Sequence, residues 1–134
     1  MNETAESLTV LIVDDDPTAR FLIRAVVEQL GCQVVEAELG VDGLQQMRDI
    51  RPDLLVLDVL MPHMDGLDVL RYLRSDPQFE SLPVIVVSVL GDDHTLVKQI
   101  HEVGISMYFT KPLDQTHVSN RLAALIEEQW QADR

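Results

Sequence analysis

Short apolar runs alternate along this chain with longer segments in which apolar residues recur every three or four positions. The apolar runs are rich in β-branched residues and predict five strands, at 8–13, 33–37, 54–57, 84–87 and 107–110. The segments between and after them predict five helices, at about 17–30, 41–50, 67–74, 94–103 and 114–130. Strands that alternate with helices predict a doubly wound α/β fold around a parallel sheet, with right-handed crossovers.

Two helices carry informative local signals. Asp16 and Pro17 predict the start of the first helix, because aspartate is a favoured N-cap and proline fits the first helical position. The predicted inner face of this helix consists of Ala19, Ile23, Val26 and Leu30. The second helix contains Gly43, which costs ~0.5–1 kcal/mol relative to alanine. The sequence alone offers no reason for that glycine.

The segment 54–66 organises the rest of the chain. Four apolar residues, Leu54 to Leu57, lead directly into Asp58. A continuous apolar run of this kind fits a strand buried on both faces of a parallel sheet. Asp58 would then lie at the carboxyl edge of the sheet, where open α/β folds bind their ligands. Taken alone, Asp58 fits equally well as a helix cap or the start of a turn.

Polar residues at the ends of other strands favour the ligand-site interpretation. Asp14 and Asp15 follow the first strand, Ser88 the fourth and Lys111 the fifth. A pair of carboxylates 4 Å apart repel by about 4 kcal/mol at a surface-like dielectric. Such a cluster requires a hard divalent cation with oxygen ligands, and Mg²⁺ fits. A lysine and a hydroxyl beside this site would bind a phosphoryl group during in-line transfer.

Composition narrows the class of protein. A chain of 134 residues with 46% hydrophobic and 25% charged residues suits one globular domain. The net charge of −13 argues against a large nucleic-acid footprint and against binding to anionic membranes. The segment Met1–Ser7 lacks the basic and apolar regions expected of a signal peptide, and no apolar run approaches the roughly 20 residues of a membrane span. The single Cys32 agrees with a reducing cytoplasm. We expect a frayed segment at 1–7, a domain at 8–130 and a tail at 131–134.

Four motifs together resemble the receiver domain of two-component response regulators, over essentially the whole chain. They are Leu11–Asp15, Asp58–Pro62 with Asp65-Gly66, Pro83–Ser88 and Tyr108–Pro112. Each fragment alone is a weak match, but all four in order at the right spacing are highly specific. The resemblance, particularly to single-domain chemotaxis-type regulators, implies a (βα)5 flavodoxin-like three-layer sandwich with strand order 2-1-3-4-5.

The resemblance also implies a role for the acidic cluster. Asp58 would accept a phosphoryl group from a phosphohistidine on a sensor histidine kinase or phosphotransfer protein. Mg²⁺, or Mn²⁺ in its place, would bind Asp14, Asp15, Asp58 and the backbone carbonyl of Leu60. The domain would thus be a phosphoacceptor that promotes its own phosphorylation and dephosphorylation, not an enzyme in the usual sense.

Further roles are implied for residues on the last two strands. Ser88 and Lys111 would bind the phosphoryl oxygens, and the Lys111–Pro112 peptide bond would be cis. Tyr108 would be the switch aromatic that turns inward as Ser88 moves toward the phosphate. The surface of helix 4, strand 5 and helix 5 would then control a target protein or output domain, in some cases through a homodimer. The chain is expected to be a stand-alone receiver or a receiver cut from a longer protein.

Three positions depart from the pattern of the family in ways that affect hydrolysis. Val89 stands where the family prefers a small residue, and its branched side chain would crowd the phosphoryl group. Leu60 and Leu90 stand at positions that tune hydrolysis in the family, and neither apolar side chain can orient a water. We therefore predict a longer-lived phosphorylated state than that of the fast chemotaxis-type regulators.

Two other interpretations compete with a phosphorylated receiver. Asp14, Asp16 and Thr18 fit the Asp-x-Asp-x-Thr motif of haloacid-dehalogenase-type phosphatases, with Ser88 and Lys111 as later motifs. That interpretation leaves Asp58 without a role and lacks the usual acidic fourth motif. The other alternative is a receiver-like interaction scaffold that is never phosphorylated. Loss of Asp58 or Lys111 would mark such a scaffold, and both residues are present.

Overall fold

A computed structural model of the chain describes residues 8–37, 40–61, 64–89 and 94–128. The predictions for 1–7, for 131–134, for Leu90 and for the end of the last helix at Trp130 lie outside these ranges. Among the described residues, no helix is both long and apolar enough to cross a membrane.

Five strands form one parallel sheet, and we number only these strands. The strands are β1 (Thr9–Val13), β2 (Gln33–Ala37), β3 (Leu54–Leu57), β4 (Val84–Ser88) and β5 (Met107–Thr110). Their spatial order is β2-β1-β3-β4-β5, with every neighbouring pair parallel. The helices are α1 (Pro17–Gln29), α2 (Gly40–Ile50), α3 (Gly66–Ser75), α4 (His94–Val103) and α5 (Gln115–Ile126). The predicted fold and strand order are therefore confirmed.

The sheet is buried on both faces, which explains the continuous apolar strands. On one face Leu11, Leu55 and Val84 belong to a cluster with residues of α2, α3 and α4. On the other face Val10 and Val56 belong to a cluster with residues of α1 and α5. The result is a three-layer sandwich whose central strands present side chains to both cores.

The predicted start of α1 is confirmed, and its buried face differs from the prediction by one residue. Asp16 is the N-cap and accepts a 3.0 Å hydrogen bond from the Thr18 amide, with proline in the first turn. Leu30 is only half-buried because the helix has ended, whereas Val27 lies one turn beyond Ile23 and is buried.

Two glycines permit close packing next to the carboxyl edge of the sheet. A Cβ atom on Gly43 would lie 2.8 Å from Val13 Cγ2, so this glycine lets α2 pack against the end of β1. A Cβ atom on Gly66 would lie 2.2 Å from the Cα of Val59, just after Asp58. Both contacts exclude larger residues. The contact of Gly43 with Val13 explains why α2 contains a glycine despite the low helix propensity of glycine.

One short element beside the site was not predicted from the sequence. Residues 60–61 and 64–65 form a two-residue antiparallel ladder, in which Leu60 pairs with Asp65 and Met61 with Met64. The ladder turns the chain from β3 into α3.

Candidate acidic site at the carboxyl edge of the sheet

Backbone hydrogen bonds continue past the strand ends and fix the backbone of the site. The Asp58 amide donates to the Val13 carbonyl at 3.0 Å, and the Lys111 amide donates to the Ser88 carbonyl at 3.0 Å. The Asp14 amide donates to the carbonyl of Ala37 on β2 at 3.1 Å. The residues that follow neighbouring strands therefore keep the spacing of the sheet, as their positions in the sequence predicted.

Lys111 joins carboxylates from two strands. Its Nζ donates hydrogen bonds of 3.0 Å to Asp14 Oδ1 and of 3.0 Å to Asp58 Oδ2. A third oxygen, Asp16 Oδ2, lies 3.7 Å away. Burial by itself lowers the pKa of Lys111, but the hydrogen bonds to Asp58 and Asp14 and their charges outweigh it, so the pKa is raised. Lys111 therefore remains charged and offsets part of the negative charge.

Asp58 is buried and held by three donors. Its Oδ1 accepts hydrogen bonds from the Leu60 amide at 2.8 Å and from Ser88 Oγ at 2.9 Å. Its Oδ2 accepts the bond from Lys111. Ser88 is completely buried, so its hydroxyl is committed to this contact in the present structure.

The two carboxylate oxygens of Asp14 differ in their hydrogen bonds. Its Oδ1 accepts hydrogen bonds from the Asp16 amide at 2.9 Å and from Lys111. Its Oδ2 is buried without a hydrogen-bond partner among the described residues. Burial raises the pKa of this carboxyl to about 6, although the hydrogen bonds from Asp16 and Lys111 lower it. An unpartnered buried carboxylate oxygen is costly unless it is protonated or meets a cation.

The carboxylates fit a hard divalent cation. Asp14, Asp15 and Asp58 each offer one oxygen, and these atoms all lie within 4.8 Å of one another. Asp15 is exposed, whereas the other two are buried, so the cluster opens to solvent on one side. An all-oxygen set of this kind suits Mg²⁺ or Mn²⁺, which retain waters in their remaining positions.

Residues expected to tune or switch the site lie around it. Val89 is 63% exposed and Leu60 is 49% exposed, so apolar side chains flank Asp58 and Ser88 along the chain. Tyr108 is half-buried on β5, and its ring centroid lies 6.5 Å from that of His101 on α4. The Lys111–Pro112 peptide bond is cis, which confirms that expectation.

One contact to the site was missed by sequence reasoning. Arg20 on α1 donates a 2.7 Å hydrogen bond from Nη1 to the carbonyl oxygen of Asp14. Its partner on β2 is Glu36, at 3.2 Å. Nothing in the sequence marks this pair, because the contact depends on how the side chains of α1 meet β2.

The fold and the acidic edge define a doubly wound α/β domain with a lysine-bridged carboxylate cluster. The family model of the response regulator receiver domain matches residues 10–123. The protein PilH of Pseudomonas aeruginosa is 33% identical over 87% of this chain and 96% of its own length. The regulator RpaA of Synechocystis is 33% identical over 87% of this chain, but the match spans only 48% of that longer protein.

Among solved structures, the receiver domain of a histidine kinase from Syntrophus aciditrophicus has a TM-score of 0.79. It is 30% identical to this chain, with 92% of each chain covered. The chain therefore belongs to the response regulator receiver domain family, a family of signalling domains. This membership sets aside the phosphatase interpretation.

Proposed function

We propose that this receiver domain accepts a phosphoryl group on Asp58 from a phosphohistidine of a sensor histidine kinase or phosphotransfer protein. A carboxylate oxygen of Asp58 forms a bond to phosphorus as the phosphorus–nitrogen bond of the phosphohistidine breaks. The products are an acyl phosphate on Asp58 and a free imidazole on the donor. The observation that carries this proposal is the convergence of Lys111 Nζ and Ser88 Oγ on one buried carboxylate.

The neighbouring residues supply what phosphoryl transfer requires. Asp14, Asp15, Asp58 and the backbone carbonyl of Leu60 would hold Mg²⁺, which when bound neutralises charge on the phosphoryl oxygens. Lys111 Nζ donates a hydrogen bond to Asp58 Oδ2 and would pair with the phosphoryl oxygens after transfer. Because this chemistry depends on positioning and charge, no general base is needed at Asp58.

Phosphorylation would change the partner of Ser88. Its hydroxyl now donates to Asp58 Oδ1 and would donate to a phosphoryl oxygen instead. The end of β4 would shift with it, and Tyr108 on the neighbouring strand would turn inward. This movement would alter the surface of α4, β5 and α5, through which the domain would act on a target protein, an output domain or a second copy of itself.

The surface beside the site suits a protein donor. Phe21 on α1 is 76% exposed. A pocket of about 160 Å³ is lined by Leu22 and Leu113 and by Asp16 and Lys111 of the site. Because this partly apolar pocket borders Lys111, the segment of the donor that carries the phosphohistidine would dock there.

The test is the intact mass of the protein after incubation with acetyl phosphate. Wild type should gain one phosphoryl group only when Mg²⁺ is present, and Asp58→Asn should gain none. Asp68→Asn, a change of the same charge at an exposed position on α3, serves as the matched control and should behave as wild type. No gain by a wild type that binds Mg²⁺ would instead favour the unphosphorylated scaffold. A gain by Asp58→Asn would refute the assignment of the acceptor.

A further inference from the structure

Arg20 contacts the backbone that joins the first two carboxylates of the site. Its Nη1 donates a 2.7 Å hydrogen bond to the Asp14 carbonyl oxygen, and its Nε donates a 3.2 Å bond to Glu36 Oε1. The side chain is only 13% exposed. This guanidinium therefore links the loop after β1 to the neighbouring strand β2 in a setting largely shielded from water.

The contact controls the direction of the acidic loop. The carbonyl that Arg20 holds belongs to the peptide unit between Asp14 and Asp15, and the atoms of a peptide unit are coplanar. Fixing that oxygen fixes the plane through which the chain leaves Asp14 and enters Asp15. The Asp14 amide is fixed separately by Ala37. Arg20 therefore restrains the peptide plane from which the backbone enters the exposed Asp15.

We infer, on the basis of the proposed function, that Arg20 is a positioning residue for the metal site. It sets the peptide plane that brings the carboxylates of Asp14 and Asp15 together. The planar fork of arginine allows one side chain to bond Asp14 and Glu36 at the same time. Residues that orient metal ligands in this way strengthen metal binding without touching the metal.

The structure provides a matched control on the same helix. Arg24 also donates to Glu36, through Oε2, and to Glu28 at 3.1 Å. Among the described hydrogen bonds, it makes none to the loop of Asp14 and Asp15. Substituting Arg24 removes the same charge and part of the same network, but leaves the carbonyl contact intact.

The positive charge of Arg20 should by itself weaken Mg²⁺ binding, whereas its contact with the Asp14 carbonyl should strengthen it. Removing a cation near a cation site would tighten Mg²⁺ binding, whereas removing the positioning contact would weaken it. Arg20→Lys separates the two effects, because lysine keeps the charge but lacks the planar fork. If only the charge of Arg20 matters, Arg20→Lys should bind Mg²⁺ as wild type does. If Arg20 acts by positioning, Arg20→Lys should bind Mg²⁺ more weakly.

The experiment measures Mg²⁺ affinity by competition against Mn²⁺, followed by electron paramagnetic resonance. Wild type, Arg20→Ala, Arg20→Lys and Arg24→Ala are compared, and urea unfolding establishes that each is folded. Arg20→Ala should bind Mg²⁺ about tenfold more weakly than wild type, and Arg20→Lys should also be weakened. Arg24→Ala should stay within about twofold of wild type, because Arg24 makes no described hydrogen bond to the loop and its ion pairs are only partly shielded from water. At saturating Mg²⁺, Arg20→Ala should take up the phosphoryl group at the wild-type rate.

The outcomes separate this inference from the proposed function. Equal affinities for Arg20→Ala and Arg24→Ala, in a protein whose wild type binds Mg²⁺ and is phosphorylated, would overturn the inference alone. Tighter binding by Arg20→Ala would overturn it in favour of the charge effect. A wild type that binds no Mg²⁺ would overturn both.

Discussion

Lys111 places its ammonium nitrogen 3.0 Å from Asp58 Oδ2, and only 12% of the lysine side chain is exposed. The same nitrogen lies 3.0 Å from Asp14 Oδ1, so one cation serves two buried carboxylates. Removing one member of a buried ion pair leaves an uncompensated charge, which is strongly destabilising. The single positive charge of Lys111 therefore offsets only part of the negative charge of the two carboxylates.

Replacing Lys111 by an uncharged residue should destabilise the folded protein. Lys111→Met should lower the free energy of unfolding near neutral pH by about 3 kcal/mol, because two buried carboxylates lose their partner. Mg²⁺ should restore part of the loss by supplying positive charge. Urea unfolding with and without Mg²⁺ measures both effects. Lys98→Met, at an exposed position on α4, should change stability by less than about 0.5 kcal/mol. Equal losses in the two variants would contradict this account.

The raised pKa of Asp14 should give stability a specific pH dependence. Its folded pKa of about 6 exceeds the ordinary 3.8, so the folded protein holds the proton more tightly than the unfolded chain. Stability contributed by this group should therefore fall as the pH rises from about 4 to about 6, by on the order of 3 kcal/mol. Asp14→Asn cannot titrate and should flatten that part of the profile. Urea unfolding in Mg²⁺-free buffer across this range is the measurement, and parallel profiles for the two proteins would refute the prediction.

Protons and Mg²⁺ should also compete at Asp14. A metal ligand must be deprotonated, so Mg²⁺ affinity should decline as the pH falls through about 6. Competition titrations against Mn²⁺ at a series of pH values test this. An affinity that stays constant down to pH of about 5 would show that Asp14 is ionised throughout or is not a ligand.

The hydroxyl of Ser88 should matter more for the conformational change on phosphorylation than for the phosphorylation of Asp58 itself. Ser88→Ala removes one donor to Asp58, and we expect a loss of roughly 1.5–3 kcal/mol in the free energy of unfolding. Asp58 keeps its bonds to Lys111 and the Leu60 amide, so phosphorylation should continue at a reduced rate. The change in Tyr108 fluorescence or amide spectra on phosphorylation should largely disappear. An unaltered spectroscopic change in Ser88→Ala would remove Ser88 from the switch.

The exposed apolar residues beside the site should prolong the phosphorylated state. Val89→Ala and Leu60→Asn should each hydrolyse the acyl phosphate faster than wild type, because they relieve crowding or help to orient a water. Since Val89 is 63% exposed, its substitution should alter stability by less than about 0.5 kcal/mol. Phosphate release after removal of the donor measures the lifetime. A wild-type half-life of seconds, or no acceleration in Leu60→Asn, would contradict the prediction.

The sequence predicted the strands and the carboxyl-edge residues well because both follow from simple patterns. A fully buried parallel strand requires a continuous apolar run, and its end is marked where a charged residue such as Asp58 appears. Parallel strands share one edge, which predicts that Asp14 and Lys111, 97 residues apart, lie at the same edge of the sheet. Their direct contact could not be predicted in this way, because β3 and β4 separate β1 from β5 and the contact depends on the reach of the lysine side chain.

Features that depend on packing between elements could not be predicted in the same way. The contact of Arg20 with Asp14 and Glu36 depends on how α1 sits against β2. The role of Gly43 depends on the side chain of Val13, which approaches α2 only after folding. Periodicity gives the face of a helix but not the distance to its neighbour.

Chemical trapping determines whether Asp58 carries the phosphoryl group. The protein is phosphorylated with acetyl phosphate and Mg²⁺ and then reduced with borohydride, which converts an aspartyl phosphate to homoserine. Peptide mass spectrometry locates the converted residue. We expect conversion at Asp58 alone. Conversion at Asp14 or Asp16 would contradict it and would favour a nucleophile on the loop after β1.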